Sequence, residues 1–185
     1  MFPFLIRVDF IIATALLVVA PLILLAASIR RPAVRGHLLA YWRASSLLMI
    51  TVYLMIDGRP VAFVAGNAAL VLIPLALYVG DVLFIAGDSL PSDSPVAIWF
   101  RRWRGSATLF CGASLLLAGP AIRCVGDVEG KAFCTAWLKP PRELHWALHP
   151  DVDPAVLGDA AAVGLLIYGA YLIASVGRGV YGAWR

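Results

Sequence analysis

Five long apolar runs alternate with shorter charged segments along this chain. The hydrocarbon core of a bilayer is about 30 Å thick, so a helix that crosses it needs about 20 mostly apolar residues. All five runs come close to that length, which predicts an all-α, polytopic helical bundle in a membrane. We expect a single membrane domain over residues 1–185, with spans at 8–29, 38–56, 61–86, 106–125 and 155–176.

The segments between the runs differ in length. Asp57-Gly58-Arg59-Pro60 alone separates the second span from the third, and this turn sequence predicts a helical hairpin. The outer loop, residues 126–154, has about thirty residues, too few for an independent globular domain. Within it, Pro140-Pro141 predict the start of a short helix that continues to His149 and lies on the membrane face.

Composition supports a membrane protein and explains the positive charge. The chain is 62% hydrophobic and 14% charged, whereas a soluble domain is about 45–50% apolar and about 25% charged.

The distribution of basic residues predicts the orientation. Lys and Arg concentrate in cytoplasmic loops. The richer side of this chain carries Arg30, Arg31, Arg35, Arg43, Arg101, Arg102, Arg104, Arg178 and Arg185. The poorer side carries Arg7, Arg59, Arg123, Lys131, Lys139 and Arg142. The bias predicts the N-terminus outside and the C-terminus inside, and the net charge of +4 needs no nucleic-acid partner.

Aromatic and basic side chains cluster just before the predicted fourth span. Tryptophan and arginine are both favoured at the boundary between lipid and water. The cluster predicts an anchor at the inner face of the membrane, formed by Trp99, Arg101, Arg102, Trp103 and Arg104.

Two of the three cysteines, Cys124 and Cys134, fall on the predicted outer side. Disulfides persist in oxidising compartments, so we expect a disulfide that joins the outer loop to the end of the fourth span. A zinc site that adds His145 and His149 is an alternative, because two thiolates and two imidazoles suit tetrahedral zinc. Two unpaired thiols are the third alternative.

Charged residues inside the spans suggest ion pairs, because an unpaired charge in a membrane is costly. Arg43 and Asp81 reach a similar depth on the antiparallel second and third spans, which predicts an intramembrane ion pair. The alternative is that both side chains extend separately to the lipid headgroups. Arg123 and Asp159 form a second candidate pair, and Asn67 should find a partner on another helix.

Motifs of common membrane enzymes are missing from the sequence. It contains no CxxC, HExxH or phosphate-binding loop, so we expect no catalytic residue, no metal and no cofactor, although contact with chlorophyll, carotenoid or lipid stays open. A small transporter using Arg43 and Asp81 is the alternative function. Pro21, Pro74 and Pro120 would break three helices as transporters do, yet five spans do not divide into two equal halves.

The segment Tyr41–Ile56 resembles the signature of a cyanobacterial family of small multi-span membrane proteins, a domain of unknown function. Weaker similarities with the same order and spacing occur at Pro21–Leu24, Pro60–Phe63, Cys134–Leu138 and Gly164–Tyr168. The resemblance implies an accessory subunit or assembly factor of a photosynthetic complex, photosystem II before photosystem I. It also implies integral membrane proteins and lipids as partners, in the thylakoid or cytoplasmic membrane of a cyanobacterium.

Overall fold

The computed structural model describes residues 2–84, 94–126, 128 and 130–183, and the side chains of this set outside residues 79–84, 176 and 178–183. Within this part the chain forms helices and no strand. The elements are α1 (Phe2–Ala13), a π-helical segment (Thr14–Val19), α2 (Ala20–Ala27), α3 (Pro32–Ile56), α4 (Val61–Phe84), α5 (Pro95–Ala118), a 3-10 segment (Gly119–Val125), α6 (Ala132–Leu148) and α7 (Pro154–Ala183).

Five helical runs in the described residues are long and apolar enough to cross a bilayer, which confirms the predicted all-helical, five-span architecture. They are Phe2–Ala27, Pro32–Ile56, Val61–Tyr78, Pro95–Val125 and Pro154–Ser175. The fourth run begins at Pro95 rather than at residue 106. The Ser94 hydroxyl accepts a hydrogen bond from the Ala97 N–H and Pro95 occupies the first turn, so this helix starts before the aromatic and basic cluster.

The α3–α4 hairpin lies at the centre of the bundle. Its turn contains Gly58, whose φ of +75° is favourable for glycine and strained for other residues. Helix α7 packs against α3 and α4, α5 packs against α4, and α6 packs against α3 and α1. The Arg142 Nε–H donates to the Ile56 carbonyl at 3.3 Å, which places α6 at the end of the bundle that carries the turn. We call this end the turn end.

Helix α6 begins earlier than the sequence predicts. It runs through Pro140 and Pro141 from Ala132, so the expectation that these prolines start the helix is wrong. The buried side chains Cys134, Trp137, Leu138, Pro141 and His145 follow the three-to-four-residue spacing of one helix face. Packing of this continuous face against the bundle outweighs the local effect of the prolines.

The first span contains a π-helical segment that ends at Val19, two residues before Pro21. Proline has no N–H group, so the Leu17 carbonyl four residues earlier loses its usual donor. The Tyr41 hydroxyl of α3 donates to that carbonyl instead. A neighbouring helix thus satisfies the broken backbone, as membrane interiors require.

The Trp103 indole of α5 binds the carbonyl one residue earlier. In the π-helical segment the Ala20 N–H donates to the Ala15 carbonyl, five residues back, so the Leu16 carbonyl does not receive it. The indole Nε1–H of Trp103 donates to the Leu16 carbonyl at 2.8 Å, and the side chain is only 6% exposed. The prediction that Trp103 belongs to an interfacial anchor is therefore wrong, because the free carbonyl draws its indole into the bundle. Trp99 is 65% exposed, as an anchor requires, and the Arg104 guanidinium lies 4.4 Å from the centre of the Tyr78 ring.

Candidate functional site

A cavity of about 90 Å³ lies among α1, α3, α4, α5 and α6, near the turn end. Its lining is mostly apolar, and a single water needs only about 10–15 Å³. An ionisable residue within a membrane bundle is by default a hypothesis for a functional site. The polar side chains along this cavity belong to Asp9, Thr51, Asn67, Ser114 and Trp137.

Asp9 places a carboxyl group at this cavity, inside the first span. The Ser114 hydroxyl of α5 donates to Asp9 Oδ1 at 2.5 Å, and Ser114 itself is buried. This hydrogen bond links α1 to α5. Asp9 is not among the residues singled out from the sequence, although an acid within an apolar run is itself a signal of function.

Asn67 contributes an oriented amide from α4. Its Nδ2 donates to the Phe63 carbonyl at 2.7 Å and to the Ala118 carbonyl of α5 at 3.4 Å, so the predicted interhelical partner is confirmed. Both partners are acceptors, so the amide must turn its NH₂ group towards them. Asn67 Oδ1 is then a buried acceptor without a hydrogen-bond partner among the described residues.

Trp137 closes the cavity from α6. The side chain is 8% exposed, and its Nε1–H is a buried donor without a partner in the described part of the chain. Pro140 and Pro141 line the same wall.

A disulfide joins Cys134, one turn before Trp137, to Cys124 of the 3-10 segment, with the two Cα atoms 5.7 Å apart. This is the pairing predicted from the sequence, and it attaches α6 to the end of the fourth span.

The disulfide takes both thiolates that the zinc alternative requires. The two histidines of that alternative have other contacts. His145 Nε2 lies 2.8 Å from the Val152 carbonyl oxygen, and His149 Nε2 lies 3.3 Å from the Tyr53 hydroxyl. Both histidines therefore connect the end of α6 to neighbouring backbone and side chains.

A charged network covers the turn end outside the cavity. Arg59 binds Asp57 Oδ2 at 2.6 Å and Asp159 Oδ1 at 2.5 Å. Two hydrogen bonds raise the pKa of Arg59, and the one to Asp57 has a larger effect than the one to Asp159. The predicted Arg123–Asp159 pair is wrong, because Asp159 lies at the start of α7, which packs against the α3–α4 hairpin, while Arg123 belongs to the 3-10 segment against α4, α5 and α6.

The other predicted ion pair involves a side chain outside the described set. Asp81 belongs to α4, but its side chain is not among those described, so the Arg43–Asp81 pair stays a prediction. Single and double substitutions of the two residues, compared in one stability cycle, would test it.

The five membrane-length helices define a multi-pass integral membrane protein. A family model described as protein of unknown function (DUF3177) matches residues 3–178, and the chain belongs to this family. Comparison with curated proteins and with solved structures found no match. The resemblance drawn from the sequence is thus confirmed as far as it concerns a family of unknown function.

Proposed function

We propose that the protein is a non-catalytic accessory subunit or assembly factor of a photosynthetic membrane complex, and we favour photosystem II over photosystem I. It would act in a thylakoid or cytoplasmic membrane of a cyanobacterium by binding the helices of other membrane proteins. The resemblance at Tyr41–Ile56 suggests the complex. The observation that carries the mode of action is the surface of α7.

Helix α7 uses one side within the protein and leaves the other exposed. Gly158, Ala161 and Leu165 lie on the side that packs against α3 and α4. Small residues let membrane helices approach closely, and Ala170 and Ala174 provide them on the opposite side. The exposed face of α7 consists of Val163, Leu166, Ile167, Ala170, Ile173 and Ala174. Such a face suits a helix of a partner protein.

Site-specific photo-crosslinking in native membranes tests this mode of action. A crosslinking amino acid at Leu166 should capture a photosystem II subunit, because this side chain is 75% exposed on α7. The matched control is Leu116 of α5, which is 83% exposed but lies on another surface. Equal capture from both positions, or capture of lipid alone, would contradict binding through α7.

Orientation in the membrane is part of the same proposal, with the N-terminus outside and the C-terminus inside. Cysteines introduced at Asp151 and Ser92 should report it with an impermeant thiol reagent in intact cells. We expect labelling at Asp151 and none at Ser92, because the basic residues concentrate on the side of Ser92. Background should be low, since Cys111 is buried and the other two cysteines are bonded. The reverse pattern would overturn the orientation.

A small transporter is the second candidate, and the cavity at Asp9 is the observation that favours it. The proline argument for transport weakens, because Tyr41 and Trp103 satisfy the backbone freed next to Pro21. Solute flux in liposomes that Asp9→Asn abolishes, with assembly in the membrane intact, would place transport first.

A further inference from the structure

We propose that the end of the bundle opposite the turn binds anionic phospholipids of the surrounding leaflet. Five exposed arginines belong to this end: Arg30 and Arg31 between α2 and α3, Arg35 in α3, and Arg101 and Arg102 in α5. We call it the arginine end. The inference concerns the lipid around the protein, so it holds for either orientation in the membrane and whichever partner binds α7.

Packing between α3 and α5 brings the two groups of arginines to the same end. Val34 of α3 and Phe100 of α5 belong to one buried core cluster, and the His37 ring of α3 lies 5.7 Å from the Phe100 ring. Arg35 and Arg101 lie on the exposed sides of the same two helical segments. The arginine end therefore presents positive charge from two separate parts of the chain.

The arginines of this end outnumber the acids near them in the chain. Residues 28–37 and 81–104 contain six arginines, three aspartates and no lysine, so the aspartates cannot neutralise the guanidinium groups. The turn end differs, because basic and acidic side chains pair there: Arg7 binds Glu143 at 2.9 Å, and Arg59 binds two aspartates. The excess of positive charge at one end favours an anionic partner.

Exposed apolar side chains beside the arginines favour a lipid over an acidic protein as that partner. Ile29 is 70% exposed and directly precedes Arg30, and Trp99 is 65% exposed and lies two residues before Arg101. An apolar side chain next to a cation matches the boundary between hydrocarbon and headgroups, where tryptophan and arginine are both favoured.

Helix length places the α5 arginines at the level of the headgroups. The fourth membrane-length run, Pro95–Val125, has 31 residues, which at 1.5 Å per residue span roughly 46 Å. The hydrocarbon core is only about 30 Å thick, so residues at the ends of this run can lie outside it. Arg101 and Arg102 belong to the first two turns of the run and can reach the phosphate layer.

The choice of arginine also suits a phosphate partner. The preference for basic residues in cytoplasmic loops applies to lysine and arginine alike, so topology alone does not call for arginine. Both lysines of the chain, Lys131 and Lys139, belong to the loop and helix near the turn end. The planar guanidinium group binds phosphate oxygens through two parallel hydrogen bonds, which an ammonium group cannot do.

Competition between two defined lipids tests the proposal on the unmodified protein. The full-length protein is delipidated in a neutral detergent, mixed with equal amounts of dioleoylphosphatidylglycerol and dioleoylphosphatidylcholine, and analysed by native mass spectrometry. The two lipids share their acyl chains and the phosphate, but only the first carries a net negative charge. We expect at least about fivefold preference for phosphatidylglycerol, which should decline as the ionic strength rises.

Two matched double variants locate the binding surface. Arg31→Gln with Arg35→Gln removes two exposed cations from the arginine end, and the preference should fall by about fivefold for each arginine lost. Lys131→Gln with Lys139→Gln removes two exposed cations from the other end and should leave the preference unchanged. Equal binding of the two lipids, or equal effects of the two double variants, would overturn the proposal. Binding of a polyglutamate peptide without any lipid preference would also overturn it, because the arginine end would then serve an acidic protein.

Discussion

Gly158→Ala should destabilise the protein by about 1–3 kcal/mol, the usual cost of overpacking a close contact. A Cβ at this position would lie 2.6 Å from Asp57 Cγ and would overlap the Asp57 carboxylate oxygen. Asp57 cannot turn away freely, because Arg59 binds it and also binds Asp159 of α7. The added methyl group must therefore move α7 away from the hairpin or break this charged network.

Gly169→Ala is the matched control on the same helix. A Cβ there meets nothing within 4 Å, so the substitution should be neutral or stabilise the helix by up to about 1 kcal/mol through propensity. Unfolding by SDS in mixed micelles, followed by circular dichroism, measures both variants. If Gly158→Ala behaves like Gly169→Ala, helix α7 does not approach the α3–α4 turn as closely as described.

Tyr41→Phe should cost about 1–3 kcal/mol, because it leaves the Leu17 carbonyl buried without a donor. The hydroxyl of Tyr41 compensates for the N–H that Pro21 lacks. The phenylalanine ring keeps nearly all of the packing, including the contact with Trp103, whose ring centre lies 4.9 Å away. The loss should thus report the hydrogen bond rather than a cavity.

A second substitution separates this mechanism from a general packing defect. Pro21→Ala returns a backbone N–H to the first span, so Tyr41→Phe should cost less in that background than in the unmodified protein. The same unfolding measurement on the two single variants and the double variant gives the coupling free energy. Strictly additive effects would show that the hydroxyl of Tyr41 does not compensate for Pro21.

Much of the fold follows from local pattern, and the sequence was sufficient for it. Span length depends on the thickness of the hydrocarbon core, so the five apolar runs predicted five membrane helices. The Asp57–Pro60 turn predicted the α3–α4 hairpin because its short length leaves no room for another connection. Cys124 and Cys134 are close in the chain, and their pairing was the simplest outcome on the predicted outer face.

Tertiary structure alone decided which side chains meet. Arg59, rather than Arg123, binds Asp159 because α7 packs against the hairpin, and helix order in the chain does not specify that neighbour. Trp103 lies inside the bundle because the π-helical segment leaves a carbonyl free, and its partner is 87 residues away in the chain. Asp9 of α1 and Asn67 of α4 line one cavity, and only the packing of their helices brings these two residues together. Hydropathy determines that a helix crosses the membrane, whereas its neighbours depend on packing and on the hydrogen bonds that buried polar groups require.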